Sequence, residues 1–245
     1  MIDWPGHRDR TLPGMEPRYD AVAQWYADFT REWSPVCLPY LPDDLHQQHV
    51  LDLACGSGVV STVLAERGAT VTAVDASSGM LDNADLSDRV TYQPGDATNT
   101  DWWDGRRFDG LVCNMALMDI DDLAAALSTI ATVTAPGGWI LLSLLHPCFP
   151  GRTDTGTMSS WPPDGGYTSE GWWATDTDGI RSRVGAHHRM LSTYLNAVLA
   201  AGLNFEEFIE PPADVPRYLV LRCSSDRNPN VGRGVIQQAY FSAQR

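Results

Sequence analysis

The sequence predicts an α/β fold, a doubly wound and mostly parallel sheet with helices on both faces. Three observations lead there. Short apolar runs at residues 50–53, 70–74, 108–113 and 139–145 alternate with stretches of helical period. A glycine-bearing turn, Gly56-Ser57-Gly58, follows the first run directly. The run "WILLSLL" at 139–145 is continuously apolar, as a strand buried on both faces has to be.

Taken in order, "EPRYDAVAQWYADF" at 16–29 has a helical pattern with Tyr19 and Tyr26 seven residues apart, which places them on one helix face. Residues 50–53 read as the first strand. Residues 57–67 follow as a helix with Val59, Val60, Val63 and Leu64 on one side and Gly68 placed to end it. A second strand covers 70–74. Ser77 can cap a helix carrying Met80, Leu81 and Ala84. Strands at 89–93 and 108–113 come next, then a helix over 121–133 with Leu123, Leu127 and Ile130 at helical spacing. Pro136-Gly137-Gly138 turns the chain into the strand at 139–145.

From 147 to 186 neither period holds, and Gly, Pro, Trp and Asp dominate. A long irregular stretch inside a compact domain predicts a lid or a cap with small strands of its own. Helical pattern resumes over 188–201, with Leu191, Leu195 and Val198 inward and Gly202 as stop. "NFEEFIE" and "RYLVLRC" read as an antiparallel edge pair, and the tail "GVIQQAYFSA" as a further candidate strand. No repeat or linker divides the chain, so 1–245 is read as one domain.

At 245 residues and 43% hydrophobic content there is enough apolar material for one sizeable core. The net charge of −14, with every basic residue an arginine, disfavours nucleic acid or an anionic membrane as partner. Having no lysine also removes Schiff-base and lysine-base chemistry. The five cysteines are scattered without metal-ligand spacing, which fits a reducing cytoplasm. Residues 1–15 have no signal-like apolar core, and no run is long enough to span a membrane. A cytoplasmic protein, monomer or homodimer, is expected.

In an open parallel sheet a ligand binds beyond the carboxyl ends of the strands, where strand order reverses. Gly56 and Gly58 lie at that point, and Asp75 ends the second strand, where a carboxylate can accept both hydroxyls of a ribose. A dinucleotide fingerprint needs a third glycine, yet Ser61 stands there. Two glycines alone are also compatible with an ordinary strand-to-helix turn.

Further signals follow at matching places: "GDAT" at 95–98 after the third strand and "CNMALMD" at 113–119 after the fourth. With "LDLACGSG" the series resembles the class I S-adenosylmethionine-dependent methyltransferases, closely over 19–138 and more loosely to 223. The resemblance implies a Rossmann-like seven-stranded sheet with the last strand inserted antiparallel, and S-adenosylmethionine as cofactor. It implies that Asp52, Ala54, Gly56 and Gly58 surround the methionine half, that Asp75 holds the ribose, and that Ala76 and Met80 flank the adenine. Asp96 would accept from the adenine amino group and the Ala97 N–H would donate to the ring. Asn114, Met115 and Met118 would lie at the methionyl end. Ala54 departs mildly from the family, which often has glycine there. The cofactor's carboxylate needs no lysine, so the lysine-free loop suits it.

The helix at 16–35 resembles the lid of small-molecule members of that family, whose aromatics, here Tyr19 and Tyr26, close over cofactor and substrate. Simple packing of an amphipathic helix is the alternative. Within the 147–187 insertion Trp161, Tyr167, Trp172 and Trp173 either wall an acceptor pocket or form the cap's own core. His146, after the 139–145 strand, is the candidate general base, with Tyr26 and His188 in reserve. His188-Arg189 is also read as the opening of the helix that follows. Asp119, Asp121 and Asp122 read as a helix start, and no metal site is expected. The reading is methyl transfer to a small, aromatic or heteroaromatic, for example indole-like, metabolite at N, C or O. The rivals are a nicotinamide-dependent oxidoreductase and a non-catalytic S-adenosylmethionine-binding protein.

Overall fold

A computed structural model describes residues 17–30, 32–149, 166–174 and 179–225. Trp161 and the tail read as a candidate strand lie outside the described residues, as does Glu16 at the start of the lid.

Seven strands form one sheet in the order β3-β2-β1-β4-β5-β9-β8. They are β1 His49–Leu53, β2 Thr70–Asp75, β3 Val90–Pro94, β4 Phe108–Asn114, β5 Thr134–Leu145, β8 Asn204–Ile209 and β9 Tyr218–Ser224. The first five pair in parallel, and β9 runs antiparallel between β5 and β8. Strand order reverses between β1 and β4, which opens the crevice beyond their carboxyl ends.

Side-chain alternation along these strands builds two cores. Leu51 and Leu53 of β1, Leu111 and Cys113 of β4, and Ile140, Leu142 and Leu144 of β5 face one side. They meet Leu123, Leu127 and Ile130 of helix α4 (Leu123–Val133) and Tyr194 and Val198 of α6 (Leu191–Ala200). Val50, Val71, Val112 and Leu141 face the other way, onto Val60 and Leu64 of α2 (Val59–Glu66). The period of two in the strands is therefore read out as two covered faces. Each fully buried aliphatic side chain contributes roughly 1.5–3 kcal/mol.

Several elements differ from expectation for local reasons. Helix α3 (Ser78–Leu81) is a single turn, because the chain leaves helical geometry soon after the Ser77 cap and Ala84 falls in a turn. Pro136-Gly137-Gly138 is a bulge within β5: Phe108 pairs with Thr134 but Gly110 already pairs with Trp139. The lid is a short 3-10 turn, Asp20–Val22, leading into α1, Ala23–Thr30. Tyr19 thus precedes the helix instead of sharing its face, although its ring still meets Tyr26 edge to face at 5.1 Å.

The insertion does hold strands of its own. β6 (Gly171–Trp173) pairs antiparallel with β7 (Ala186–His188), and α5 (Ile180–Val184) lies between them. His188 therefore closes β7 and does not open α6, which begins at Leu191. Among the described residues no helix is long and apolar enough to cross a membrane.

Candidate functional site

The turn after β1 has an unusual backbone. Ala54, Gly56 and Gly58 all have positive φ, at 56°, 58° and 78°. A Cβ on Gly58 would lie 2.2 Å from the Tyr92 hydroxyl and one on Gly56 3.0 Å from Met80 Cε, so this turn needs both glycines. Across the crevice Met115, just after β4, also has φ 56°. Two non-glycine residues held left-handed at the ends of adjacent strands are the kind of strain found at ligand sites. Met115 is kept there by its N–H, which donates to the Ser143 carbonyl at 2.8 Å, and the Ser143 hydroxyl donates to Asn114 Oδ1 at 2.7 Å.

Asp75 closes the other side of the turn. Its Oδ2 accepts from Gly56 N–H and its Oδ1 from Ser77 N–H, both at 2.8 Å. Burial raises its pKa, and these backbone donors oppose the rise. A carboxylate has about four lone-pair positions. The Gly56 and Ser77 donors take two of them, the Ala76 N–H also faces the group, and the carboxylate keeps some capacity to accept from a ligand hydroxyl. Met80 lies buried beside this turn, and Ala76 is exposed at its rim.

Asp52 is placed differently from the other loop residues. It is 1% exposed, beneath the loop, and accepts a 2.6 Å hydrogen bond from Ser61 Oγ. Desolvation pushes its carboxyl up to about 7. It supports the loop from within. Asp96 Oδ1 accepts from both Thr98 N–H and Thr98 Oγ1 at 2.8 Å, a local turn that orients the exposed carboxylate beside buried Ala97. Met118 is 2% exposed and packed in the core, whereas Asn114 and Met115, expected at the same methionyl end, are half-buried.

The lid docks on this rim. Asp20 Oδ1 accepts from Ser77 Oγ at 2.6 Å and from Gly79 N–H at 2.9 Å, and the Ser77 hydroxyl lowers its pKa. Tyr19 donates its hydroxyl to Asp119 Oδ2 at 2.9 Å, while Arg181 donates to Asp119 Oδ1. The phenol of Tyr19 is raised well above its ordinary pKa by burial and by the Asp119 charge. Tyr26 is raised for the same two reasons and also feels Asp75. Both phenols therefore stay protonated near neutrality, and Tyr19 acts as a donor to Asp119.

Sequence reasoning missed Arg181, read Arg189 only as part of a helix opening, and read Asp119 and Asp121 only as a helix start. Asp122 alone has that role, accepting from Ala125 N–H at 2.9 Å. Asp121 accepts from Arg18 and, at 2.7 Å, from His187 Nε2. Arg189 donates to the carbonyls of Leu117, Ile120 and Asp121 at 2.7–3.0 Å, pinning the loop after β4. The one available signal was the dense arginine pattern "RSRVGAHHR", which composition alone does not assign.

The histidines have structural partners. His146 is 2% exposed, and its Nδ1 accepts from Cys148 N–H at 3.1 Å. With Nδ1 an acceptor, Nε2 carries the proton, which it donates to Glu210 Oε1 at 2.9 Å. Both nitrogens are thus engaged in the turn after β5, and His146 does not present a free base to the crevice. His188 Nε2 donates to the Tyr167 carbonyl at 2.7 Å. The Tyr167 hydroxyl accepts from Leu191 N–H at 2.9 Å at the start of α6. Trp173 packs on the main core, and the Trp172 ring lies against Gly185. Of the described members of the aromatic cluster, Trp173 thus lies against the main core and Trp172 within the cap, while Tyr167 is exposed. Among the described residues no group of three His, Cys, Asp or Glu side chains is placed to hold a metal.

The rim brings together groups that can hold a polar ligand. It offers a carboxylate with spare lone pairs, a close-approach glycine turn and a strained Met115, with no lysine for a phosphate. Comparison with known proteins agrees. Residues 51–142 match a family described as a methyltransferase domain. A ubiquinone biosynthesis O-methyltransferase of Coxiella burnetii is 32% identical over 123 residues, 47% of this chain and 52% of that protein. A demethylmenaquinone methyltransferase of Mycolicibacterium gilvum is 42% identical over 93 residues, 38% of this chain and 40% of that protein. The chain thus spans about 40–60% of the length of these curated relatives. A solved S-adenosylmethionine-dependent methyltransferase of Mesorhizobium loti superposes with a TM-score of 0.64 at 25% identity, over 84% of this chain and 99% of the other.

Proposed function

We propose that this chain, which carries a class I S-adenosylmethionine-dependent methyltransferase domain, methylates a small aromatic or heteroaromatic acceptor. The observation that carries the reading is the paired strain at Ala54 and Met115, at the ends of adjacent strands, together with the Asp75 carboxylate tied to the Gly56 turn. When bound, S-adenosylmethionine supplies an electrophilic methyl group on its sulfonium sulfur.

The protein's part is to bind, orient and exclude water. Asp75 takes the ribose hydroxyls, Met80 and Ala76 flank the base, Asp96 and Ala97 read its edge, and Ala54, Gly56, Asn114 and Met115 surround the amino-acid end. Tyr19 and Tyr26 cover the site from the lid, with Tyr26 facing the Asp75 side. Alignment of nucleophile and methyl group supplies most of the acceleration in such a displacement. With His146 and His188 engaged in turn and cap, the favoured acceptor needs no strong protein base: a ring nitrogen, an electron-rich carbon or an acidic phenol. Relatives named for ubiquinone biosynthesis and for demethylmenaquinone support a flat-ring acceptor class.

The test has two parts. Thermal shift with S-adenosylmethionine, S-adenosylhomocysteine and NAD should show stabilisation by the first two only. Transfer of labelled methyl to a panel of phenols, quinols, indoles and amines should then identify the acceptor. Stabilisation by NAD alone would favour an oxidoreductase. Cofactor binding with no transfer to any acceptor would favour a non-catalytic binder.

A further inference from the structure

The lid, the loop after β4 and the cap come from residues near 19, 119 and 181, and they converge on one carboxylate. Asp119 Oδ2 accepts from Tyr19 and Oδ1 from Arg181, and its backbone carbonyl accepts from Arg18 Nη1 at 3.1 Å. The side chains of Asp119 and Arg181 are only 13% and 16% exposed. Arg181 also donates to the Gly185 carbonyl at 2.8 Å, which holds its guanidinium against its own helix end. A second contact joins the same two elements: the Arg183 guanidinium sits 4.1 Å from the centroid of the Trp25 ring on the lid helix.

We infer that Asp119 is a positioning residue that locks the lid over the cofactor, with Tyr19 and cap Arg181 as the two halves of the lock. Each half depends on the other through the shared carboxylate. Arg181 neutralises Asp119, so that a half-buried carboxylate can wait in place for the Tyr19 hydroxyl. Tyr19 in turn sets the ring of Tyr26, its edge-to-face neighbour at 5.1 Å, on the side of Asp75. Asp20, next in the chain, is already bonded to Ser77 and Gly79 beside the cofactor rim. A cap that is displaced therefore releases the lid, and the acceptor side of the protein governs how long the cofactor stays.

This inference rests on the cofactor reading above, and its test separates the two. S-adenosylhomocysteine dissociation is measured by stopped-flow tryptophan fluorescence on the full chain, wild type and Tyr19→Phe, Asp119→Asn, Arg181→Met and Tyr19→Phe/Arg181→Met. Each single substitution should speed dissociation about tenfold, the scale of one lost charge-assisted hydrogen bond. The double variant should be no faster than the faster single one, because both act through one carboxylate. Arg181→Lys, which keeps the charge, should restore part of the loss. Tyr19→Phe removes a single oxygen and should lower Tm by only a few degrees, so it carries the test if Arg181→Met melts early. Binding by the wild type with unchanged rates in Tyr19→Phe and Asp119→Asn, or effects that multiply in the double variant, would overturn the lock alone. No binding by the wild type would overturn the cofactor reading as well.

Discussion

The carboxylate of Asp75 and the backbone N–H of Gly56 meet at 2.8 Å, tying the end of β2 to the turn after β1 across nineteen residues of chain. One side chain thus shapes the turn and, in the proposed reading, also holds the cofactor's ribose. A residue with two roles is tested by two measurements.

Asp75→Ala should weaken S-adenosylhomocysteine binding by about 1.5–3 kcal/mol, the scale of lost hydrogen bonds to a charged group. Calorimetry reads this directly. The variant should remain folded by circular dichroism, because the sheet core does not pass through Asp75. Unchanged affinity would remove Asp75 from the site.

Asp52 gives stability a pH dependence. Its carboxyl is raised to about 7 in the folded protein by desolvation, against an ordinary value near 3.8. Between those two values the folded state binds more protons than the unfolded one, so stability falls as pH rises through that window. The contribution is fully present below about pH 4 and is lost by the time pH passes the folded value. Asp52→Asn, which keeps the size and a partner for Ser61, should flatten this part of the Tm–pH curve. A curve of the same slope in the Asn variant would show that other groups carry it.

His146→Ala should act on stability more than on rate. It leaves the Cys148 N–H and the Glu210 carboxylate without their partner in the turn after β5, a loss of about 1–3 kcal/mol for the buried part. The expected fall in kcat is under tenfold. A general base would cost a hundredfold or more and remove a limb of the pH–rate profile, and that result would return His146 to the chemistry.

Trp173 is packed against the main core, whereas Trp172 lies on the cap over Gly185. Trp173→Ala should therefore lower global stability by about 2 kcal/mol or more, as removal of large packed side chains does. Gly185→Ala should disturb the cap, because its φ is 63° and the new Cβ would meet Trp172 Cζ2 at 2.2 Å. Denaturant unfolding of the two variants distinguishes them: Trp173→Ala shifts the main transition, and Gly185→Ala adds an early loss of Trp172 fluorescence protection. An unshifted main transition in Trp173→Ala would place this side chain outside the core's energetics.

Most of the sheet was legible because its signals are local. Period-two burial, an apolar run such as 139–145 and the glycines at 56 and 58 each restrict the chain within a few residues, and their order implies the doubly wound topology. The Asp75 position was legible for the same reason, since it follows from where a strand ends. The cap, the lid contacts and the fate of the histidines were not, because they depend on partners 60 to 100 residues away. Arg181 finds Asp119 sixty-two residues upstream, Tyr19 finds it a hundred residues downstream, and His146 turns to Glu210 sixty-four residues on. An imidazole at a strand end looks the same in sequence whether it faces a substrate or a glutamate. Buried charge and hydrogen-bond geometry decide between them, and both exist only once the distant elements have packed.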